Sequence, residues 1–311
     1  MERTLGVEEM NTGSIAARVK AIIDMTKPLQ TFLLMVTMIG GYLAAGASNL
    51  RVLSLLLLVG YSSIGGTTVL NMYLERDIDA VMERTRGRPL PSNKVSEWET
   101  IFSAAALLVI GVYSASLINE YVVFTVLAGL YFDIIIYTNL VKRRTPFNII
   151  LGGIAGSMPA LGGWAAARGS IELGGIILSA SVMLWIPLHI WILAYYLKDD
   201  YLRASIPMFP VLASPVKTAT YIKASLYMLM LSVASFMFTQ GYGVIAFIVT
   251  STLILRALSI LNKFASNPDK NMAFKLYKFA SPIIGVLFIL LPLDHVFKGY
   301  ECIILKILVG G

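Results

Sequence analysis

The chain has 311 residues, of which 57% are hydrophobic and only 14% charged, and its mean hydropathy is +0.75. A water-soluble domain carries roughly a quarter charged residues, so the composition excludes a soluble enzyme and points to a polytopic membrane protein. The net charge of +7 sits in the gaps between apolar blocks, which argues against a nucleic-acid surface.

Apolar blocks of about 20 residues suffice to cross the hydrocarbon as helices. No ten-residue alternating strands suggest a barrel, so an all-α bundle is the remaining solution. Nine membrane helices are predicted, over residues 29–47, 52–74, 100–118, 121–140, 147–166, 173–197, 221–239, 242–261 and 276–296. Residues 1–25 read as a cytoplasmic tail. They lack the apolar core and cleavage site of a signal peptide, so the first membrane helix is expected to serve as the insertion signal. Residues 26–300 read as a single membrane domain and 301–311 as a short C-terminal tail. The single Cys302 allows neither an intrachain disulfide nor a cysteine-based metal site.

Lysine and arginine fix an expected orientation. Of the 25 in the chain, 21 fall in alternate segments starting with the N-terminal tail. The tail and the even-numbered loops are therefore expected in the cytoplasm and the C-terminus outside. The second and sixth helices then end on the same side, each followed by a dense charged segment. That spacing hints at two four-helix halves plus a ninth helix.

The first charged segment runs N-M-Y-L-E-R-D-I-D-A-V-M-E-R-T-R-G-R-P-L-P from Asn71 to Pro91. Asn71, Glu75 and Asp79 are spaced i, i+4, i+8, which on a continuous helix keeps them within about 80° of one face and spread over about 12 Å. Hard oxygen donors in that arrangement suit Mg²⁺. Asp77 falls on the other side. Arg84, Arg86 and Arg88 alternate just beyond, and guanidinium forks suit phosphate oxygens. A solvated helix end, its acids paired with Arg76 and Arg84, is the competing reading. The second segment, Lys198-Asp199-Asp200-Tyr201-Leu202-Arg203, repeats the mixture and precedes a proline-stiffened loop at Pro207 and Pro210. Lys142-Arg143-Arg144 reads as positive-inside signalling.

His189 is set in L-W-I-P-L-H-I-W, inside the sixth predicted helix. A polar side chain there is costly and tends to be functional, and imidazole can ligate heme iron; a hydrogen bond to a neighbouring helix is the plainer alternative. The glycines between Gly152 and Gly163 read as close helix packing, and Pro159 and Pro187 as kinks.

With these residues in view, the chain resembles the intramembrane prenyltransferases of the UbiA superfamily, and within it the branch that farnesylates heme. Asn71, Glu75 and Asp79 match the superfamily's N-x-x-x-D-x-x-x-D, with Glu at the middle position as a departure. The branch markers are R-D-I-D-A-V-M-E-R-T-R-G-R-P-L-P from Arg76, Y-T-N-L-V-K-R-R-T-P-F-N from Tyr137, G-G-I-A-G-S-M-P-A-L-G-G-W to Trp164, W-x-P-x-H-x-W from Trp185 to Trp191, and K-D-D-Y-L-R-A-S-I-P-M-F-P-V from Lys198. Thr26-Lys27-Pro28 fits too, and the likeness covers about residues 20 to 300. Where quinone-branch members carry D-x-x-x-D, this chain has Tyr196 and Asp200. The usual P-P-H-F-W is P-L-H-I-W here.

The resemblance implies a nine-helix prenyltransferase fold in the cell membrane, its lipid surroundings included. It implies transfer of a farnesyl (or longer isoprenyl) group from its diphosphate to a ring vinyl of heme b, giving heme O. The residues fit a division of labour. Mg²⁺ would be held by Asn71, Glu75, Asp79, Asp199 and Asp200. The diphosphate would be bound by Lys27, Arg84, Arg86, Arg88, Lys198 and Arg203. Heme would lie at Trp185, His189 and Trp191. Asp79 and Asp200 would serve catalysis, with Tyr196 or Asp200 as the base that activates the quenching water. Two other classes stay open. A quinone- or lipid-forming prenyltransferase shares the acidic face but gives no reason for W-x-P-x-H-x-W. A transporter or heme carrier explains the helices and His189 but not the acid-and-arginine segment.

Overall fold

The structure is a computed structural model and describes residues 15–298. The first fourteen residues and the expected C-terminal tail with Cys302 lie outside the described residues.

The described chain is all helix and turn. A short helix α1 (Ile15–Met25) meets α2 (Pro28–Ala44) at a 48° bend. The series continues with α3 (Leu50–Leu74), α4 (Arg76–Val81), α5 (Glu97–Ser116), α6 (Glu120–Val141), α7 (Asn148–Arg168) and α8 (Leu173–Tyr196). After the short α9 (Lys198–Arg203) and α10 (Phe209–Leu212) come α11 (Pro215–Gln240), α12 (Val244–Ser266), α13 (Lys270–Ala280) and α14 (Ile283–Val296). Among the described residues, eight helical spans are long and apolar enough to cross a membrane, counting α13 with α14 as one, and the bent α1–α2 pair makes a ninth. α1 occupies part of the stretch read from sequence as a tail.

Local chemistry sets the boundaries. The Asn49 side chain accepts the Arg51 and Val52 amides to start α3, and Asn119 accepts the Val122 amide to start α6. Ser96 and Glu99 close a reciprocal capping box on α5. α7 and α11 stop at Gly169 and Gly241, both in the left-handed region.

The spans close into a ring in which α2, α3, α5, α6, α7, α8, α11, α12 and α14 each touch the next, and α14 returns to α2. α2 also crosses the ring to pack on α7. That contact brings backbones together: a β-carbon on Gly163 would overlap the Met38 carbonyl, and one on Gly41 would lie 2.6 Å from the Ala160 oxygen. The glycines on α7 thus serve packing. The largest core cluster, with Trp164, Trp191, Phe236 and Phe264, fills the half built from α7 onward.

Two spans change pitch. α6 winds as a π-helix over Tyr131–Val141, and α8 does so over Pro187–Trp191. Pro187 opens the second of these, because it has no N–H for the ordinary i−4 bond. α7 runs through Pro159 without a break.

Candidate active site

The two acidic segments meet. Asp200, 5% exposed, accepts the Glu83 amide at 3.0 Å and the Arg84 amide at 3.2 Å. A carboxylate from α9 therefore caps the turn that follows α4. Arg203 pairs with Asp200 and reaches Glu83 at 3.1 Å. Although burial opposes it, Arg203 and those two amides hold the Asp200 carboxyl below its ordinary range.

In the first segment the helix expected to run on through Asp79 breaks at Glu75, whose φ and ψ are −104° and 13°. The hydrogen bonds nevertheless step across the break, from the Glu75 amide to Asn71 and from the Asp79 amide to Glu75. The i, i+4, i+8 register survives, and Asn71, Glu75 and Asp79 are all buried. Asn71 donates to the Thr138 hydroxyl at 2.8 Å. Glu75 pairs with Lys142. Both oxygens of Asp79 take Arg88 Nη1, at 2.6 and 2.7 Å. Asp77 lies outside, as expected, in a two-pronged pair with Arg143 at 2.7 Å that holds its carboxyl below the usual range.

The Lys142-Arg143-Arg144 run is thus more than an orientation signal. The half-buried Lys142 is the counter-charge of the buried Glu75, 67 residues away. Sequence reasoning missed this, and the only available signal was that the run leaves its helix on the same side as the acids.

Several cations form no ion pair. Among the described residues the side chains of Lys27, Arg84, Arg86 and Lys198 make no hydrogen bond or ion pair. Lys27 holds a left-handed backbone, φ 46°, which costs a non-glycine residue on the order of 1–3 kcal/mol. Its nearest charges are Arg88, Glu75, Lys142 and Asp79, so that strain is stored beside the acidic motif. Asp199 is exposed and turned to Lys270 at 2.6 Å, apart from the contacts of Asp200.

Deeper in, rings line α8 and α13. Trp185 stacks on His189 with centroids 4.4 Å apart, and His189 faces Tyr277 at 4.8 Å. Tyr277 continues to Phe274 at 6.4 Å and Phe274 to Tyr196 at 4.7 Å, with planes within 22°. This file of rings leads from His189 towards the charged mouth. Trp191 stands apart from it, packed on Phe147, Phe209 and Tyr221 in the core. Tyr277, Phe274 and Ser281 were missed from sequence, because the lysines of 270–280 dilute that helix's apolar signal.

The Ser281 hydroxyl lies 2.7 Å from the Tyr277 carbonyl and 3.2 Å from His189 Nδ1. It has one proton, so both contacts are hydrogen bonds together only in the tautomer in which Nδ1 donates to the Ser281 oxygen. Nε2 makes no hydrogen bond among the described residues.

No three His, Cys, Asp or Glu side chains stand together as a metal cage among the described residues. Mg²⁺ does not need one. It commonly uses one or two carboxylates, waters and the substrate's own phosphate oxygens. Asp79 and Asp200, each a carboxylate at the mouth, fit that use.

Comparison with known proteins gives the family and the fold. Residues 33–283 match the UbiA prenyltransferase family. The chain is 50% identical over 283 residues to a protoheme IX farnesyltransferase of Aeropyrum pernix, covering 91% of this chain and 94% of that protein. Among solved structures it is similar to a digeranylgeranylglyceryl phosphate synthase, with TM-score 0.73 at 17% identity over 89% of this chain and 98% of the other. A UbiA homolog from Archaeoglobus fulgidus bound to GPP and Mg²⁺ matches with TM-score 0.63 at 14% identity, over 87% and 99%.

Proposed function

The chain belongs to the UbiA prenyltransferase family, and from that premise we propose that it transfers a farnesyl group from farnesyl diphosphate to a vinyl group of protoheme IX, giving heme O and diphosphate. The relative that is half identical over nearly its whole length carries that activity in its name. The observation that carries the reading is the junction at Asp200, which joins the two acidic segments into one mouth at the end of a file of rings.

The charges divide the work. Lys27, Arg84, Arg86 and Lys198, without acidic partners, take the diphosphate oxygens. Arg88 and Arg203, already paired, hold Asp79 and Asp200 in place. Mg²⁺, when bound with the diphosphate as in the Archaeoglobus fulgidus homolog, supplies further positive charge to the leaving group; Asp79 and Asp200 would hold it, with Asn71 and Glu75 beside them. Positive charge fixed where the leaving group's negative charge develops lowers the barrier to ionisation. The rings of Trp185, His189 and Tyr277 offer a flat apolar wall to the tetrapyrrole, and in the tautomer whose Nδ1 donates to Ser281, His189 Nε2 has the free lone pair an iron ligand needs. The stacking of Tyr196 on Phe274 at the top of the file suits it to the acceptor's edge.

The distribution of Lys and Arg supports a mouth and N-terminus on the cytoplasmic side of the cell membrane. In a Cys302→Ser background, a membrane-impermeant thiol probe should reach Ser92→Cys from that side and Glu120→Cys only from the other; labelling of both from one face overturns the orientation.

The reaction is tested with purified protein, heme b, farnesyl diphosphate and Mg²⁺. Diphosphate should be released, and the heme should gain one farnesyl group and one hydroxyl by mass spectrometry. A heme carrier releases no diphosphate, and a quinone- or lipid-forming enzyme leaves the heme unchanged.

A further inference from the structure

Two acidic residues with no place in the two charged segments lie on membrane spans, Asp133 midway along α6 and Asp294 in the last turn of α14. Asp294 has a structural task, since it accepts the Ala246 amide at 2.7 Å near the start of α12. Asp133 has none of that kind. Its half-buried carboxylate takes part in no hydrogen bond and no ion pair among the described residues. An acid kept inside a membrane bundle at this cost calls for a task.

Its position is built. Asp133 lies in the π-wound segment of α6, and such turns recur at functional sites. The Thr138 hydroxyl donates to the Asp133 carbonyl at 2.8 Å and accepts from Asn71 at 2.8 Å. The turn that carries Asp133 is thereby tied to the first residue of the acidic motif. The charges that act on its carboxylate are Glu75, Lys27 and Lys142, all at the mouth.

Depth distinguishes it from those neighbours. Asp133 precedes Lys142 by nine residues and His189 precedes Asp200 by eleven, which sets each about two turns or more below the charged end of its span. They lie on α6 and α8, which both pack on α7. Asp133 thus stands below the charged mouth, as His189 does.

We propose, resting on the farnesyl-transfer reading above, that Asp133 is the catalytic base for the water that ends the reaction. The C1–O bond of farnesyl diphosphate breaks and the diphosphate leaves with the electron pair. The vinyl π pair forms the new bond to C1, which leaves the carbon next to the ring cationic. A water oxygen donates a lone pair to that carbon, and one of its protons passes to the Asp133 carboxylate. The product gains farnesyl and hydroxyl, and Asp133 holds the proton until the product leaves. Before that step the carboxylate also offsets the cation's charge. Tyr196, stacked on Phe274 at the mouth end of the ring file, borders the acceptor but carries no anionic group to take the proton at neutral pH.

The test is Asp133→Asn, which keeps size and shape and breaks no hydrogen bond of the side chain. With heme b, farnesyl diphosphate and Mg²⁺, turnover should fall by about 10²-fold or more, the usual contribution of a general base. The product should also change: the cation loses a proton from carbon, and a heme lighter by one water accumulates in the mass spectrum. Asp133→Glu should restore much of the hydroxylated product. An Asp133→Asn protein that gives only hydroxylated heme, at whatever rate, overturns the proposal and leaves a structural role. If the parent protein itself attaches no farnesyl group to heme, the farnesyl-transfer reading fails first and this one falls with it.

Discussion

The two acidic segments look alike in sequence and behave differently in the fold. The first has its acids met by side-chain cations. Asp79 is answered nine residues on by Arg88, and Glu75 by the half-buried Lys142 just past α6. The second reaches outward: besides its pair with Arg203, Asp200 directs its two oxygens to main-chain amides of the other half. One segment is a pre-neutralised socket and the other is the clasp that holds it shut. Matching composition in two halves does not imply matching roles.

The sharpest way to break this comparison is to remove a counter-charge from the socket. Lys142→Met leaves Glu75 buried and unpaired and should cost about 3–5 kcal/mol, read as a large fall in thermal unfolding temperature in detergent. An unchanged melting profile would mean that the pair balances nothing.

Next come the acids themselves. Asp79→Asn and Asp200→Asn should each lower diphosphate release by about 10²–10³-fold, as removal of one charge-stabilising group does. Both should also lose stability, Asp79→Asn because Arg88 is left without its partner and Asp200→Asn by about 1–3 kcal/mol because one amide of the clasp is orphaned. Adding Arg88→Met should recover part of the loss in Asp79→Asn and none of it in Asp200→Asn; equal recovery in both would dissolve the distinction between socket and clasp.

A smaller effect separates mouth from interior. Arg84→Ala with Arg86→Ala should raise KM for the isoprenyl diphosphate by roughly tenfold or more, since a hydrogen bond to a charged group is worth about 1.5–3 kcal/mol, and leave heme affinity alone. His189→Ala should do the reverse, seen by heme absorbance. Ser281→Ala should shift the heme spectrum less, since it frees the tautomer without removing the ligand. The smallest expected change is Arg143→Ala, whose exposed pair with Asp77 is worth under about 1 kcal/mol.

Much of this was legible in the chain. Apolar blocks and the alternation of Lys and Arg gave the spans. The spacing of Asn71, Glu75 and Asp79 gave a shared face that persists across the break at Glu75, because the hydrogen bonds keep their i−4 step there. The pairing of Glu75 with Lys142 was not legible: it joins residues 67 apart, and local pattern carries no such information. Nor were the π turns, which arise from tertiary fit and, at Pro187, from a missing donor. Ser281 was not legible either: it fell inside the predicted 276–296 helix as one small polar residue, and only the break between α13 and α14 and its contact with His189 set it apart. Trp191 shows the opposite error. It shares a motif with His189, yet two residues along a helix turn it to another face and into the core.

The contact of α2 with α7 at Gly163 carries a consequence for the mouth. Two main chains touch there with no side chain between them, so the halves have a fulcrum and little freedom to slide. Gly163 is fifteen residues from the start of α7, about 22 Å from the charged end. A methyl group added at that point acts on a long lever. Gly163→Ala would tilt the halves apart, and the displacement would be greatest where Asp200 grips Glu83 and Arg84. A change of one carbon at the far face would open a clasp that it never touches.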